Sequence, residues 1–236
     1  MKKIEGLVVT LAVALGMSSF AQSNDSIENT TPAIEVNYGV DLMSRYIWRG
    51  QEYGQAPSIQ PGLSASWQGF TLGAWGAYKL NGEGGQETDF YLSKTIGPVT
   101  IAVWDYWSFN DTAAMDFLDF KKESTTHLLE ALVQISGGES IPFNFMGSYF
   151  FYGADATKSL YLELQYVNSF KSNELMAFVG YCPKGKYYSN REGIVNVGLQ
   201  LKRNIEITDR WSLPVSMSLI YNPAVKSMYL VAGISL

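Results

Sequence analysis

The 236-residue sequence combines 47% hydrophobic and 14% aromatic residues with only 17% charged residues and a net charge of −5. The acidic balance argues against a nucleic-acid-binding surface, and a single cysteine excludes an internal disulfide. After residue 21, no apolar run approaches the roughly 20 residues that a membrane-spanning helix requires. Two fold classes remain, a soluble β-sandwich and a transmembrane β-barrel.

Residues 1–21 have the layout of a secretory signal peptide. Lys2 and Lys3 form a positive start, 7–17 is apolar, and small residues flank a cleavage site after Ala21. A buried N-terminal helix is the less consistent alternative. The polar segment 22–33 predicts a short periplasmic lead, and 34–236 is the predicted barrel. We therefore expect export to the outer membrane of a Gram-negative bacterium.

From Ile34 onward, apolar and polar residues alternate with the period of two that is typical of strands with two different faces. For example, Leu160, Leu162 and Leu164 alternate with Tyr161 and Glu163. The pattern predicts twelve strands, near 34–42, 58–67, 70–78, 87–96, 99–109, 125–135, 143–152, 159–169, 174–182, 194–205, 211–222 and 226–236.

The predicted connections alternate in length along the chain. Short turns at 68–69, 97–98, 137–140, 171–173 and 208–210 alternate with generally longer links such as 48–57, 80–86, 110–124 and 183–193. Membrane barrels sort their connections in this way, whereas a sandwich has no reason to do so. The sequence therefore predicts an all-β, antiparallel up-and-down barrel of about twelve strands, closed by pairing of 229–236 with the first strand.

Three stretches resemble a known family. They are DLMSRYIWRG at 41–50, PSIQPGL at 57–63 and GFTLGAWG at 69–76. These stretches contain the S-x-Y-x-x-R-G strand end, the P-x-x-Q-x strand start and the G-x-W-G strand of the TorF-type porin family. The resemblance covers the first part of the predicted barrel. It implies an outer-membrane barrel with porin activity and names no solute.

The polar faces of the predicted strands supply the candidate pore-lining or rim residues. The set comprises Glu35, Asp41, Arg45, Arg49, Gln60, Glu130, Glu163, Gln165, Asn196, Gln200 and Lys202. We expect Arg45 and Arg49 at the rim, where they either select anionic or polar solutes or pair with carboxylates or lipopolysaccharide phosphates. Structural pairing is the favoured interpretation.

Catalytic and metal chemistry finds little support. His127 is the only histidine, and Leu129 stands where barrel phospholipases carry the serine nucleophile. Cys182 has no second ligand beside it, and the acidic residues of 110–124 match no calcium-loop pattern. We therefore expect no enzyme, no cofactor and no metal site.

Two local features carry structural expectations. Asp105 shares the parity of an apolar face, which predicts a bulge or register shift in 99–109. The apolar residues Met115, Phe117, Leu118 and Phe120 of loop 110–124 are expected to constrict the barrel mouth or to form a short surface helix. Deleting 113–120 should then raise the single-channel conductance.

The favoured function is passive diffusion of small polar solutes through a narrow twelve-stranded channel in contact with outer-membrane lipid and lipopolysaccharide. The alternative is a non-conducting structural or adhesion barrel, plugged by its own side chains and by loop 110–124. The pattern specifies neither the solute nor the oligomeric state.

Overall fold

The computed structural model describes residues 33–81, 85–110, 115–138 and 140–236, and every helix or strand assigned in these ranges is a β-strand. The strands are β1 (Glu35–Met43), β2 (Tyr46–Trp48), β3 (Gln51–Gly54), β4 (Ser58–Trp67), β5 (Phe70–Lys79), β6 (Gly85–Ile96), β7 (Val99–Asn110), β8 (His127–Ser136), β9 (Phe143–Gly153), β10 (Leu160–Phe170), β11 (Asn173–Lys184), β12 (Gly193–Thr208), β13 (Trp211–Asn222) and β14 (Ser227–Ser235). Within the described ranges, no helix is long and apolar enough to cross a membrane. The predicted signal peptide and nearly all of the predicted lead lie outside the described residues.

Twelve of these strands form one closed antiparallel barrel. Strands β4 to β14 pair in chain order, and β1 closes the barrel between β14 and β4. At this seam, Asp41 is opposite Ser235, and the backbones of Val40 and Leu236 exchange hydrogen bonds of 3.1 and 2.9 Å. The predicted twelve-stranded barrel, closed by its last strand, is confirmed.

The connections divide the barrel into two ends. Two-residue turns such as 68–69, 97–98 and 171–172 lie at one end, which we call the turn end. The opposite end, the loop end, carries longer connections that include 44–57, 154–159 and 185–192.

The alternation of side chains in the strands is clearest in β7. Ala102, Trp104 and Tyr106 are buried and face the barrel interior, whereas Ile101 and Val103, which alternate with them, are exposed on the outer wall. Strand residues alternate between the two faces of a sheet, and only the inner face of this barrel is covered. The position of a residue in this alternation therefore tells whether its side chain faces outward or into the lumen.

The outer wall is apolar, whereas the interior combines buried polar and charged side chains with an aromatic cluster, unlike a soluble protein. Leu72 and Leu230 on the outside are each 63% exposed, whereas Glu130 and Gln134 on the inside are at most 1% exposed. Apolar-out and polar-in alternation is the pattern of barrels that stand in lipid.

The bulge expected in β7 is absent. This strand pairs without interruption with β6 along its whole length and with β8 from Val99 to Trp107. Asp105 points outward, and its carboxylate lies 2.8 Å from Nδ1 of His127 on the neighbouring strand. A cross-strand polar partner, rather than a shift in register, accommodates the polar residue on the apolar face.

The described part of loop 110–124 packs on the outside of the barrel. The Phe120 ring stacks on the imidazole of His127 at 4.1 Å, and the Phe117 ring contacts Trp107 at 5.2 Å. His127, Trp107 and Asp105 all belong to outward-facing positions. The expectation that these phenylalanines constrict the mouth is therefore wrong, and 115–126 contains no helix.

The connection between β1 and β4 enters the barrel. After Ser44 the chain leaves the wall, and β2 and β3 pair as a two-stranded hairpin separate from the barrel sheet. This hairpin contacts inward-facing residues of β6, β8 and β13. We call residues 46–54 the lumen hairpin. The sequence predicted an external loop at this position.

Candidate functional site

The lumen hairpin turns at Arg49 and Gly50, whose φ angles are 49° and 78°. Two successive positive φ angles define a type I′ turn, which matches the twist of paired strands. A Cβ atom at Gly50 would lie 2.2 Å from the carbonyl oxygen of Val195 on β12. The side-chain amide of Asn222 on β13 donates to the Gly50 carbonyl at 3.0 Å. The tip therefore fits against the wall only with glycine.

The Arg49 side chain is buried inside the barrel. Its Nη1 and Nη2 donate to the two carboxylate oxygens of Glu130 at 2.5 and 3.0 Å. Its guanidinium carbon lies 4.4 Å from the Trp48 ring centroid and 4.6 Å from that of Tyr161. Bidentate pairing and stacking on aromatic faces are the contacts for which a guanidinium is best suited. They stabilise a charge that would be costly to bury alone.

Aromatic rings surround the hairpin at the loop end. The Trp48 ring lies 5.3 Å from Tyr106 on β7, 6.3 Å from Phe150 on β9 and 5.8 Å from Tyr188. Two residues before Trp48 on β2, the Tyr46 hydroxyl donates to the Glu87 carboxylate on β6 at 2.8 Å. Hairpin and wall side chains thus fill this part of the lumen.

The loop 185–192 folds inward and covers the hairpin. Nε2 of Gln51 donates to the Tyr187 carbonyl at 2.8 Å, and the hydroxyls of Tyr53 and Tyr187 lie 2.9 Å apart. Burial raises the pKa of Tyr187 to about 12, although the hydrogen bond with Tyr53 opposes this effect. The phenol therefore stays neutral and keeps its proton for hydrogen bonding at physiological pH.

Asp155 anchors that covering loop from the neighbouring connection. Its carboxylate accepts hydrogen bonds from the backbone N–H groups of Thr157 and Ser159 at 2.9 and 2.6 Å. Burial acts to raise the pKa of Asp155, but these hydrogen bonds outweigh it and hold the pKa below its usual range. The Thr157 and Ser159 hydroxyls accept the backbone N–H groups of Lys186 and Tyr187 at 2.8 and 3.0 Å.

Farther toward the turn end, the wall is lined by polar groups that bond to one another. The Glu163 carboxylate accepts hydrogen bonds from Gln165 at 2.7 Å and from Asn196 at 3.0 Å, and the Tyr161 hydroxyl also donates to it. Such networks keep polar side chains flat against a wall, because each buried group finds a partner beside it.

The structure places most of the predicted pore-lining residues on the inward face. These are Asp41, Gln60, Glu130, Glu163, Gln165, Asn196, Gln200 and Lys202. Glu35 shares this parity but is exposed at the end of β1. Arg45 is exposed and pairs with Glu52 at 2.6 Å. Arg49, expected at the rim, instead lies deep among the buried residues.

Buried charge inside the barrel is mostly negative. Five buried acidic residues face the lumen, against one buried base, Arg49, in the part of the chain that the structure describes. The five acids are Asp41, Glu87, Asp89, Glu130 and Glu163. Acidic groups with low-dielectric surroundings attract cations and repel anions.

A pocket of about 270 Å³ opens beside the hairpin at the loop end. Its lining includes Trp48 of the hairpin, Glu87 and Tyr106 of the wall, Tyr187 of the covering loop, and Thr126. Hairpin, wall and covering loop all contribute to its lining.

His127 is held by acceptors on both ring nitrogens. Nδ1 faces the Asp105 carboxylate, and Nε2 lies 2.7 Å from the Phe117 carbonyl oxygen. A histidine that activates a serine or cysteine nucleophile has that hydroxyl or thiol at one ring nitrogen, and neither nitrogen of His127 has one within the part of the chain that the structure describes. Among the described residues no group of three or more metal-ligating side chains occurs, and the buried Cys182 thiol donates to the Lys184 carbonyl.

Several functional residues were missed by reasoning from the sequence. Arg49 was assigned to an external rim, and the Arg-Gly turn lacks the Asn-Gly or Asp-Gly pair that marks a type I′ hairpin in a sequence, so the lumen hairpin gave only a weak signal. Glu87 and Asp89 share the inward parity of their strand and could have been found on that basis. Asp155 gave no comparable signal, because its role depends on a contact between two loops.

Comparisons with known proteins give one family and two remote structural likenesses. A family model described as a bacterial protein of unknown function (Gcw_chp) matches residues 27–221. No curated protein matches the sequence.

Among solved structures, the "KdgM porin" aligns with a TM-score of 0.49 at 10% identity, covering 84% of this chain and 98% of that one. The "KdgM porin in complex with disordered oligogalacturonate" aligns with a TM-score of 0.46 at 9% identity, covering 86% and 98%. Both likenesses are too remote to inform function. None of these matches identifies the TorF-type family suggested by the motifs. Since the family model spans most of the sequence, the chain belongs to the Gcw_chp family of bacterial proteins.

Proposed function

We propose that this protein is a bacterial outer-membrane channel for small polar solutes and that the lumen hairpin closes its pore. The observation that carries the proposal is a polar-walled barrel obstructed by an inserted hairpin. The outer wall fits lipid, because strands of about eleven residues rising ~3.3 Å each and tilted ~40° stand about 28 Å tall. Lipid and lipopolysaccharide are then the partners of the apolar outer surface.

The hairpin is not needed to complete the wall. Met43 at the end of β1 and Ser58 at the start of β4 are direct partners in the barrel sheet, and Ser44 still hydrogen-bonds Ala232 on β14, so the barrel is continuous without residues 45–57. Apart from its two chain connections, the described contacts between hairpin and wall are hydrogen bonds, one buried ion pair and ring packing. Such contacts can break without unfolding the barrel, which is what a gate requires.

The buried charges favour cationic and neutral polar solutes over anions. Removing the hairpin would remove Arg49 and leave the acids of the wall in excess. The sequence-based idea that rim arginines select anionic solutes loses its basis at Arg49, because that side chain is paired with Glu130.

A non-conducting structural barrel is the second candidate. The observation that favours it is the dense packing of the lumen hairpin, in which the Arg49–Glu130 pair is buried and the Trp48 ring contacts Tyr106 of the wall and Tyr188 of the covering loop. A permanently docked hairpin would make the barrel a rigid scaffold for its external loops.

Liposome swelling separates the two candidates. Liposomes containing a variant in which an Asn-Gly turn replaces 45–57, so that Ser44 of the seam is kept, should swell with small sugars and amino acids. Cationic amino acids should enter faster than anionic ones. The wild type should swell slowly under the same conditions. A folded variant that admits none of these solutes would support the structural barrel and refute the channel.

A further inference from the structure

The pocket beside the lumen hairpin has a pair of neighbouring acidic residues at its wall. Glu87, which lines it, and Asp89 lie two residues apart on the inward face of β6. Asp89 is fully buried, and neither of its carboxylate oxygens has a hydrogen-bond donor of good geometry. Glu87 accepts a hydrogen bond from the Tyr46 hydroxyl, but neither acid has a basic partner among the described ion pairs. Two neighbouring buried carboxyls ionise more readily beside a cation, so this site is better suited to a cation than to water alone.

The rest of the pocket lining is aromatic and hydroxylic. Trp48, Tyr106 and Tyr187 form a continuous wall, with the Trp48 ring 5.3 Å from Tyr106 and 6.2 Å from Tyr187. The side chains of Ser108 and Thr126 also line the pocket. Aromatic faces attract cations through their negative quadrupole, most strongly where water is excluded.

We propose that this pocket binds a small organic cation with an ammonium group, held between the Glu87 carboxylate and the aromatic wall. The ammonium N–H groups would donate to Glu87 and to the hydroxyl of Ser108 or Thr126. The carbon chain would lie along Trp48 and Tyr187. A volume of about 270 Å³ suits a small ligand, since it lies at the lower end of ligand pockets.

Other ligand classes fit less well. A metal ion needs several oxygen or nitrogen ligands at short range, and the described residues contain no group of three such side chains. An anion would be repelled by Glu87 and Asp89. A neutral sugar could stack on the rings but would leave the acidic charge uncompensated.

Binding at this place would act on the hairpin. Trp48 belongs to the lumen hairpin, Tyr187 to the covering loop and Glu87 to the wall, so one ligand would bridge all three. A ligand that contacts the docked arrangement alone stabilises it by its binding free energy. The ammonium compound is therefore a stabiliser of the closed hairpin as well as a ligand.

Isothermal titration calorimetry of the full chain in detergent tests the proposal without any conductance measurement, so its result is independent of the proposed channel function. Putrescine is the probe, and 1,4-butanediol, which has the same carbon chain with neutral ends, is the matched control. We expect putrescine to bind and butanediol to bind at least about tenfold more weakly, because the diol lacks the charge. Equal binding of the two compounds would overturn the proposal.

Two variants locate the site. Glu87→Gln should weaken putrescine binding about tenfold or more, whereas Glu174→Gln, which removes an acid outside the pocket, should leave it unchanged. Should Glu87→Gln fail to fold, Thr126→Trp fills the pocket from a partly exposed position and should abolish binding. Putrescine binding that survives in a folded Glu87→Gln or Thr126→Trp protein would refute the site.

Discussion

The guanidinium of Arg49 and the carboxylate of Glu130 form a buried bidentate ion pair across 81 residues of sequence. Arg49 is at the tip of the lumen hairpin, and Glu130 is on β8 in the barrel wall. The pair therefore joins the inserted hairpin to the barrel, and it is the strongest single polar contact between them.

Removing one partner of this pair should destabilise the protein sharply. Arg49→Leu and Glu130→Leu should each lower the free energy of unfolding by about 3–5 kcal/mol, because each leaves a buried charge unpaired. The double variant, which carries both substitutions, should lose less free energy of unfolding than the sum of the two single losses. Urea-induced unfolding in detergent measures these values.

Arg45→Leu is the matched control for Arg49→Leu. Arg45 lies four residues earlier and pairs with Glu52, but its side chain is 45% exposed. We expect a loss of at most about 1 kcal/mol, as is usual for surface ion pairs. Equal losses for Arg45→Leu and Arg49→Leu would contradict the special role of the buried pair.

Gly50→Ala should release the hairpin tip from the wall. The added Cβ would meet the Val195 carbonyl oxygen at 2.2 Å, and this backbone atom cannot move aside without distorting β12. Gly97→Ala also places alanine at a positive φ, 57°, but with no atom within 4 Å. Gly50→Ala should therefore increase the frequency of channel openings in planar bilayers, and Gly97→Ala should not.

The barrel itself was predictable from the sequence, whereas the content of its lumen was not. Alternation in segments such as 160–170 and the ordering of loop lengths reflect local constraints, namely strand geometry and the two environments of the wall. The inserted hairpin depends on long-range contacts, such as Arg49 with Glu130 and Gly50 with Val195. A sequence shows the residue types of such pairs but not that they meet.

The same distinction explains the error at loop 110–124. The sequence shows that its phenylalanines are apolar, but they could have packed against either the barrel mouth or the outer wall. His127 and Trp107 lie at outward positions of the wall, and the phenylalanines pack on the outside because these two side chains contact them there.

Deleting 115–120 should leave the single-channel conductance unchanged, contrary to the expectation from sequence alone. These residues cover His127 on the outer wall and leave the lumen-facing side chains in place. The deletion should instead make the loop end more susceptible to proteases, because the Phe117 and Phe120 contacts are lost. A rise in conductance would show that the loop reaches the pore.

Asp155 should make a pH-dependent contribution to stability. Because the folded protein holds the pKa of Asp155 below its usual value near 4, its carboxylate stabilises the fold above that pH. This contribution declines as the pH falls through the folded pKa. The difference in unfolding free energy between the wild type and Asp155→Asn should thus be present at about pH 6 and smaller at about pH 3. A difference that is the same at both pH values would exclude this role for the carboxylate.

The central claim is that the hairpin closes an otherwise continuous pore, and single-channel recording in planar bilayers tests it most directly. The comparison is between the wild type and the variant in which an Asn-Gly turn replaces 45–57, with β-sheet circular dichroism confirming that both are folded. We predict rare, brief openings for the wild type and a steady, cation-selective conductance for the variant. The same low conductance in both proteins would contradict the account.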